Sequence, residues 1–246
     1  LESVLEDGEA LGERRATAFA LGNLAVLHSL GHDYATALSL FERCLGVVRA
    51  LGDAFRLAHT TFNFAHLRLR VGMVDEAEQT LAFGRRACGP NLADNIAALM
   101  SFVAAEAKLA RGDTLAAAQA ADEAIAASRR SNNGGKLGEA LRLGARIALA
   151  EGDVLRARRY LQQSENAPGA AGGEAEQAVL QAAVARAAGD PYRRLADEAT
   201  EVAEDELEFA REAHCLAGFA ALDEGDAIAA RRHLDAARAN RDRIAS

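Results

Sequence analysis

The sequence predicts an all-α fold in which about six helical hairpins stack as a solenoid. Half of the 246 residues are apolar, but most of these are Ala and Leu, aromatic residues make up 5% and Trp is absent. Ala and Leu favour helices, and the long alternating Val, Ile and Thr runs typical of strands are missing. Small residues and glycine turns also recur at a nearly constant spacing, which indicates stacked repeats.

The first hairpin is the clearest, in the stretch ALGNLAVLHSLGHDYATALSLFERCL at positions 20–45. Its pattern is typical of two amphipathic helices joined at residues 31–33. Ala25 and Ala37 fall where the helices would cross, and small side chains there allow helix axes to approach within about 8–10 Å. Phe41 would fill the space behind that crossing.

The same pattern returns along the chain. From one unit to the next the first crossing residue advances by 40, 40, 40, 37 and 36 residues. The predicted crossing pairs, each twelve residues apart, are Ala25/Ala37, Ala65/Ala77, Ala105/Ala117, Ala145/Ala157, Ala182/Arg194 and Gly218/Ala230.

A glycine, in most units followed by aspartate, separates the two members of each pair. Glycine can end the first helix because it adopts positive φ without a Cβ clash. Aspartate can then cap the second helix by accepting from its free N–H groups. The predicted turns are Gly31, Gly72, Gly112–Asp113, Gly152–Asp153, Gly189–Asp190 and Gly225–Asp226.

These breaks predict a single solenoid over residues 1–246, with 1–12 as the tail of a truncated preceding helix. The successive helix pairs are 13–52, 53–90, 91–133, 134–165, 174–203 and 204–243. The sequence NAPGAAGG at 166–173 is the loosest predicted linker. Because the chain starts at Leu1, we expect it to be a fragment of a longer protein.

The units resemble tetratricopeptide repeats (TPRs) in the long form found in bacterial multidomain regulators of the MalT-like type. The first unit carries the resemblance in Asn23, Leu24, Ala25, Gly31, Asp33, Tyr34, Ala37 and Phe41, and the second in Asn63, Phe64, Ala65, Gly72, Ala77 and Leu81. The resemblance implies a right-handed α-α superhelix. The fifth unit departs most, with Arg194 and Glu198 at normally apolar positions.

The resemblance also implies a binding groove lined by the first helix of each pair. Carried over position by position, it gives Phe19, Asn23, Val26, His59, Phe62, Asn63, His66, Leu99, Phe102, Glu106, Arg142 and Arg146. Asn23 and Asn63 match the asparagine that in related proteins hydrogen-bonds a bound peptide backbone. The alternative is a buried asparagine that satisfies a neighbouring helix.

Two further pairs within this set have alternatives of their own. Arg142 and Arg146, four residues apart, could together bind a carboxylate or phosphate, or Arg142 could form an intrahelical pair with Glu139. His59 and His66 could contact a ligand or form a half-exposed polar rim.

Catalytic signatures are absent, so we predict no enzyme and no cofactor. The sequence lacks a phosphate-binding loop, a nucleophile elbow and an HExxH helix. His28 and His32 are four residues apart, but Gly31 should end the helix between them, so no metal site is predicted. Cys44, Cys88 and Cys215 are interpreted as buried thiols of a reducing compartment.

The net charge and the hydropathy of the sequence argue against nucleic-acid and membrane partners. A net charge of −8 argues against direct nucleic-acid binding, which needs a basic face. No apolar run is long enough to span a membrane, and we expect a cytoplasmic protein.

The predicted function is a non-catalytic scaffold whose groove binds a peptide or a domain, in a fragment of a larger bacterial signalling or transcription regulator. The alternative is a small-molecule effector-sensing domain.

Overall fold

Helices account for all the regular structure in the part of the chain that can be described. A computed structural model describes residues 1–89, 93–168 and 173–245. Within those residues there are thirteen α-helices and no strand. Consecutive helices pair as hairpins, so the predicted all-α fold of helical repeats is confirmed.

The chain divides into two compact units, Leu1–Ala127 and Ser128–Ser246. The division falls within one helix, α7. Helices of the first unit are α1 Glu2–Ala10, α2 Arg14–Leu30, α3 Tyr34–Leu51, α4 Ala54–Arg70, α5 Val74–Cys88, α6 Asp94–Ala110 and most of α7 Thr114–Arg130. Those of the second unit are α8 Gly134–Ala150, α9 Val154–Glu165, α10 Glu174–Ala188, α11 Arg193–Val202, α12 Leu207–Asp223 and α13 Ala227–Ala245.

Alanines hold the hairpins together at the helix crossings. In the first hairpin Ala25 and Ala37 are fully buried between α2 and α3, and Phe41 stacks on Phe64 of α4 with ring centroids 5.7 Å apart. The same positions are fully buried in the next three hairpins, at Ala65, Ala77, Ala105, Ala117, Ala145 and Ala157. Small side chains thus allow close packing within each hairpin, and the Phe41–Phe64 contact joins the first hairpin to the second.

Capping side chains define where the second helices begin. Asp33, Asp113, Asp153 and Asp226 each accept a hydrogen bond from a backbone N–H three residues later, at 2.9–3.2 Å. In the first hairpin α2 ends at Leu30, but the left-handed residue is His32, with φ of 62°, and not Gly31, with φ of −80°. The side chain of His32 is held there by the Tyr34 hydroxyl, 2.8 Å from Nδ1.

The fifth hairpin departs from its predicted register. Ala182 and Ala196 are fully buried in one core cluster, whereas Arg194 is exposed, so the predicted pairing of Ala182 with Arg194 is wrong. The turn is longer because it is anchored by Tyr192, which is buried and donates to Asp223 Oδ2 over 2.6 Å.

This longer turn has two consequences for the fifth hairpin. Asp190 does not cap α11 and instead accepts from Arg158 over 2.7 Å. Arg194 and Glu198, which the alignment placed at apolar positions, are exposed and pair with each other.

The predicted linker at 166–173 falls partly outside the described residues, since 169–172 are not among them. On its flanks, α9 ends at Glu165 and α10 begins at Glu174. Residues 90–92, between the second and third hairpins, also lie outside the described part.

Candidate functional site

The first helices of the first unit carry most of the predicted groove. The ten residues are Phe19, Asn23 and Val26 on α2, His59, Phe62, Asn63 and His66 on α4, and Leu99, Phe102 and Glu106 on α6. Their spacing of three or four residues places them on one face of each helix. None of them is fully buried, and the Phe19 ring is 52% exposed.

A cleft of about 560 Å³ lies between α2 and α4, within the range of small-ligand sites. It contains five of the predicted residues, Phe19, Asn23, Val26, His59 and Asn63. The rest of its lining is Ala18, Gly22, Phe41, Cys44, Val48, Asp53, Phe55, Arg56 and Thr60. The buried side chains of α3 form its floor.

Cys44 lies in that floor, and its thiol is in an environment that disfavours reaction. Its thiol donates to the carbonyl oxygen of Ala18 over 3.4 Å and lies 3.7 Å from Thr60 Oγ1. Burial raises the pKa of the Cys44 thiol, so the reactive thiolate is disfavoured. The floor is reached past Gly22, where a Cβ atom would lie 3.6 Å from Cys44 Sγ.

Two amides stand on the walls of the cleft with hydrogen-bonding capacity to spare. Asn23 donates from Nδ2 to the carbonyl oxygen of Phe19 over 2.8 Å, and Asn63 donates from Nδ2 to Nδ1 of His59 over 3.1 Å. Each bond uses one of two amide hydrogens, and neither amide oxygen accepts from a described residue. Asn23 is exposed and Asn63 half-buried, so the buried-asparagine alternative does not describe them.

The cleft wall favours the neutral form of His59. Partial desolvation in the cleft wall lowers the pKa of His59 below its ordinary value of 6.5. A neutral imidazole can accept the Asn63 hydrogen at Nδ1, which places its own proton on Nε2.

Aromatic rings continue the surface from α4 to α6. Phe62 contacts the rings of His59 and His66, with centroids 6.4 and 6.1 Å away. His66 Nε2 lies 3.6 Å from Glu106 Oε2 on α6. Leu99 and Phe102 are half-buried against the apolar core of the second hairpin, as is Phe62. The cleft, the ring contacts and the approach of His66 to Glu106 thus link eight of the ten residues, and Leu99 and Phe102 share a core cluster with Phe62. The ten residues together are called the α2–α4–α6 face.

The two remaining predicted residues, Arg142 and Arg146, lie on α8 in the second unit. Arg142 is buried and donates from Nε to Glu176 Oε2 over 2.7 Å. Arg146 Nη2 lies 3.5 Å from Glu176 and 3.7 Å from Glu212. Glu139, the intrahelical alternative, pairs with Lys136 instead. The two arginines do converge on a carboxylate, and it belongs to α10 of the same chain; their role as an anchor for an external anion stays a prediction.

Comparison with known proteins supports the repeat architecture. The sequence matches no protein-family model and no curated protein. The fold is similar to the crystal structure of the apo form of RapI, with a TM-score of 0.74 and 11% identity over 92% of this chain. It is also similar to BtubC (BKLC) from P. vanneervenii, with a TM-score of 0.65 and 16% identity over 85% of this chain and 91% of BtubC. Both are helical TPR-like repeat proteins.

The chain has a TPR-like fold. It spans 64% of the length of the RapI chain. At these identities the similarity concerns the TPR-like architecture alone.

Several site residues of this TPR-like chain were not among those predicted from the sequence. Gly22 and Phe55 line the cleft, and Glu176 neutralises the two arginines. Gly22 had a usable signal, because it stands where later repeats carry large side chains. Glu176 had none, because it belongs to a different hairpin from its partners.

Other expectations concern thiols, metals and membranes. Cys44 is buried as expected, but Cys88 is half-buried and Cys215 exposed. His28 pairs with Asp33, 2.9 Å from Nδ1, and the described residues contain no cluster of three potential metal ligands. No helix in the described ranges combines the length and apolarity needed to cross a membrane.

Proposed function

We propose that the chain is a non-catalytic protein-interaction module whose α2–α4–α6 face binds a peptide segment or a folded domain. The observation that carries this proposal is the cleft between α2 and α4, where two amides with free donors and acceptors flank an apolar floor. The partner could be another domain of the parent protein. Direct nucleic-acid binding and membrane insertion form no part of the proposal.

The chemistry of this face suits a polypeptide ligand. A peptide bond offers one donor and one acceptor, and each asparagine side chain can answer both. Around the amides, Phe19 and Phe55 are 52% and 58% exposed. Rigid aromatic rings beside hydrogen-bonding groups are typical of the residues that dominate binding energy at protein interfaces.

The test is a peptide selected against the wild-type chain from a random displayed library. Affinity of that peptide for the wild type and for an Asn23→Ala/Asn63→Ala variant would be measured by fluorescence anisotropy. Each lost hydrogen bond is worth about 0.5–1.5 kcal/mol, so we expect the double variant to bind about 5- to 150-fold more weakly.

A matched control removes two amides elsewhere in the same unit. Gln79 and Gln119 are exposed on the second helices α5 and α7. Gln79→Ala/Gln119→Ala should bind the peptide like the wild type. Equal binding by the Asn23→Ala/Asn63→Ala variant, at unchanged melting temperature, would rule out the α2–α4–α6 face as the peptide site.

The volume of the cleft also favours a second candidate, a small effector whose binding is passed to another domain of a larger bacterial regulator of the MalT-like type, in the cytoplasm. A metabolite panel screened by thermal shift distinguishes the two. A ligand at a hundred times its Kd should stabilise the fold by about 2.7 kcal/mol. Stabilisation by a metabolite that also displaces the selected peptide would favour the effector role.

A further inference from the structure

Repeat equivalence explains why the cleft between α2 and α4 exists. Advancing by 40 residues from Gly22 gives Phe62, then Phe102, then Arg142. The first repeat therefore has no side chain where the next two have an aromatic ring.

In the second repeat the corresponding space is occupied. The cleft positions Ala18, Phe41, Thr60 and Asn63 correspond, 40 residues on, to Ala58, Leu81, Met100 and Val103. Those four residues form part of one buried core cluster, and Phe62 is among the partly buried side chains that pack against it. In the second repeat, an aromatic side chain of the chain itself thus stands at the position that corresponds to the cleft.

The charges around the cleft match an uncharged occupant. Its only charged side chains, Asp53 and Arg56, pair with each other, with Oδ2 and Nε 3.3 Å apart. Desolvation favours the neutral form of His59. A charged side chain entering the cleft would lose hydration without gaining a free counter-charge.

From these observations we propose that the cleft receives one aromatic side chain of a protein partner, which takes the place that Phe62 occupies in the second repeat. The inference rests on the proposed function and specifies its partner: a polypeptide whose aromatic residue enters past Gly22, while Asn23 and Asn63 bind the flanking backbone. Burying one aromatic ring removes about 150–250 Å² from water, which makes it the main anchor of the complex.

The test uses N-acetyltryptophanamide as the ligand, because the chain contains no Trp and all indole emission then comes from the ligand. Titration of the 246-residue chain should give a saturable blue shift with a Kd on the order of 1 mM, as expected for a small uncharged fragment. N-acetylphenylalaninamide should displace the ligand, and N-acetyllysinamide should not.

Two variants at one position separate filling of the cleft from a general effect on α2. Gly22→Phe restores the ring of the later repeats and should weaken binding of N-acetyltryptophanamide at least about tenfold. Gly22→Ala adds only a Cβ in ordinary contact with Cys44 Sγ, and should keep the wild-type affinity within about twofold. Gly22→Met, with a flexible chain that fills irregular space, replaces Gly22→Phe if the latter loses helical content.

Each outcome decides the matter. Absence of saturable binding by the wild type, or full binding by a folded cleft-filling variant, would overturn the aromatic anchor. If the anchor fails while the selected peptide still depends on Asn23 and Asn63, the interaction function stands without it. If the anchor holds while the peptide ignores both amides, the cleft is a real site and the proposed peptide-binding face is wrong.

Discussion

Arg142 donates from Nε to Glu176 Oε2 over 2.7 Å, and the arginine side chain is only 7% exposed. The pair joins α8 to α10 in the second unit. Buried guanidinium groups are stable only when their charge is compensated. Glu176 therefore has a structural role in holding these two helices together.

Replacing Glu176 by Gln should strongly destabilise the second unit. The change keeps the size of the side chain but leaves the Arg142 charge without a counter-ion, at a cost of about 3 kcal/mol. The free energy of unfolding from urea titration measures this cost. The control is Asp190→Asn, which breaks the Arg158–Asp190 pair at the same 2.7 Å but with both side chains 54% exposed; its cost should stay below about 1 kcal/mol. Equal costs would contradict the importance of burial.

Gly84→Ala should destabilise the first unit. A Cβ atom there would lie 2.8 Å from Met100 Cε and 2.9 Å from Thr61 Cβ, too close for ordinary contact, and overpacking of this kind costs about 1–3 kcal/mol. Gly46→Ala is the matched change, because no atom lies within 4 Å of the added Cβ and alanine favours the helix by up to about 1 kcal/mol. Thermal unfolding should thus move in opposite directions, and a higher melting temperature for Gly84→Ala would contradict the close approach.

Loss of a helix cap gives a third expectation. Asp113 Oδ1 accepts from the backbone N–H of Ala116 over 3.0 Å at the start of α7. Asp113→Ala should cost about 1 kcal/mol in the free energy of unfolding. Asp113→Asn keeps an accepting oxygen and should cost only a few tenths of that; a similar loss in both variants would point to charge and not to capping.

Acidification should destabilise the second unit through His214 and His233, whose Nδ1 atoms are 3.1 Å apart. Burial lowers the pKa of both below 6.5, and for His214 the neighbouring His233 lowers it further. For His233, Asp197 opposes this shift while Arg232 and Arg193 add to it. As the pH falls, these histidines take up protons in the unfolded chain at a higher pH than in the folded one. The free energy of unfolding therefore has its full value above pH 6.5 and decreases as the pH falls towards the lowered pKa values of the folded state.

The measurement compares urea midpoints at about pH 7.5 and about pH 5.5 for the wild type and for His233→Gln. Glutamine cannot take up a proton, so the midpoint of the variant should fall less on acidification. An unchanged difference between the two pH values would show that the histidine pair is not responsible.

The repeat architecture could be predicted because its causes are local and recur. Alanine at a crossing and aspartate after a turn act through their own helices, so a fixed spacing shows them in the sequence. The register of the fifth hairpin was predicted wrongly because Tyr192 anchors a longer turn through Asp223, a residue of the following hairpin. In the first turn, Gly31 was the expected left-handed residue. His32 has that conformation instead, and its side chain is held in place by Tyr34.

The candidate site was predictable only in part. The residues of the α2–α4–α6 face were predicted from the resemblance to tetratricopeptide repeats, and those three or four apart share a side of a helix. What those side chains contact did not follow. Glu176 reaches Arg142 from another hairpin, 34 residues away, and the cleft depends on what Gly22 lacks.

The glycine at position 22 has a wider consequence for how such an array can diversify. The alanines three residues later hold the backbone in every one of the first four repeats, while position 22 and its counterparts hold Gly, Phe, Phe and Arg. Under the proposed function, the residues that support the fold and those that determine specificity therefore stand at separate positions. A substitution at the position equivalent to Gly22 in a given repeat could therefore open or fill a cleft there while the buried alanines stay unchanged.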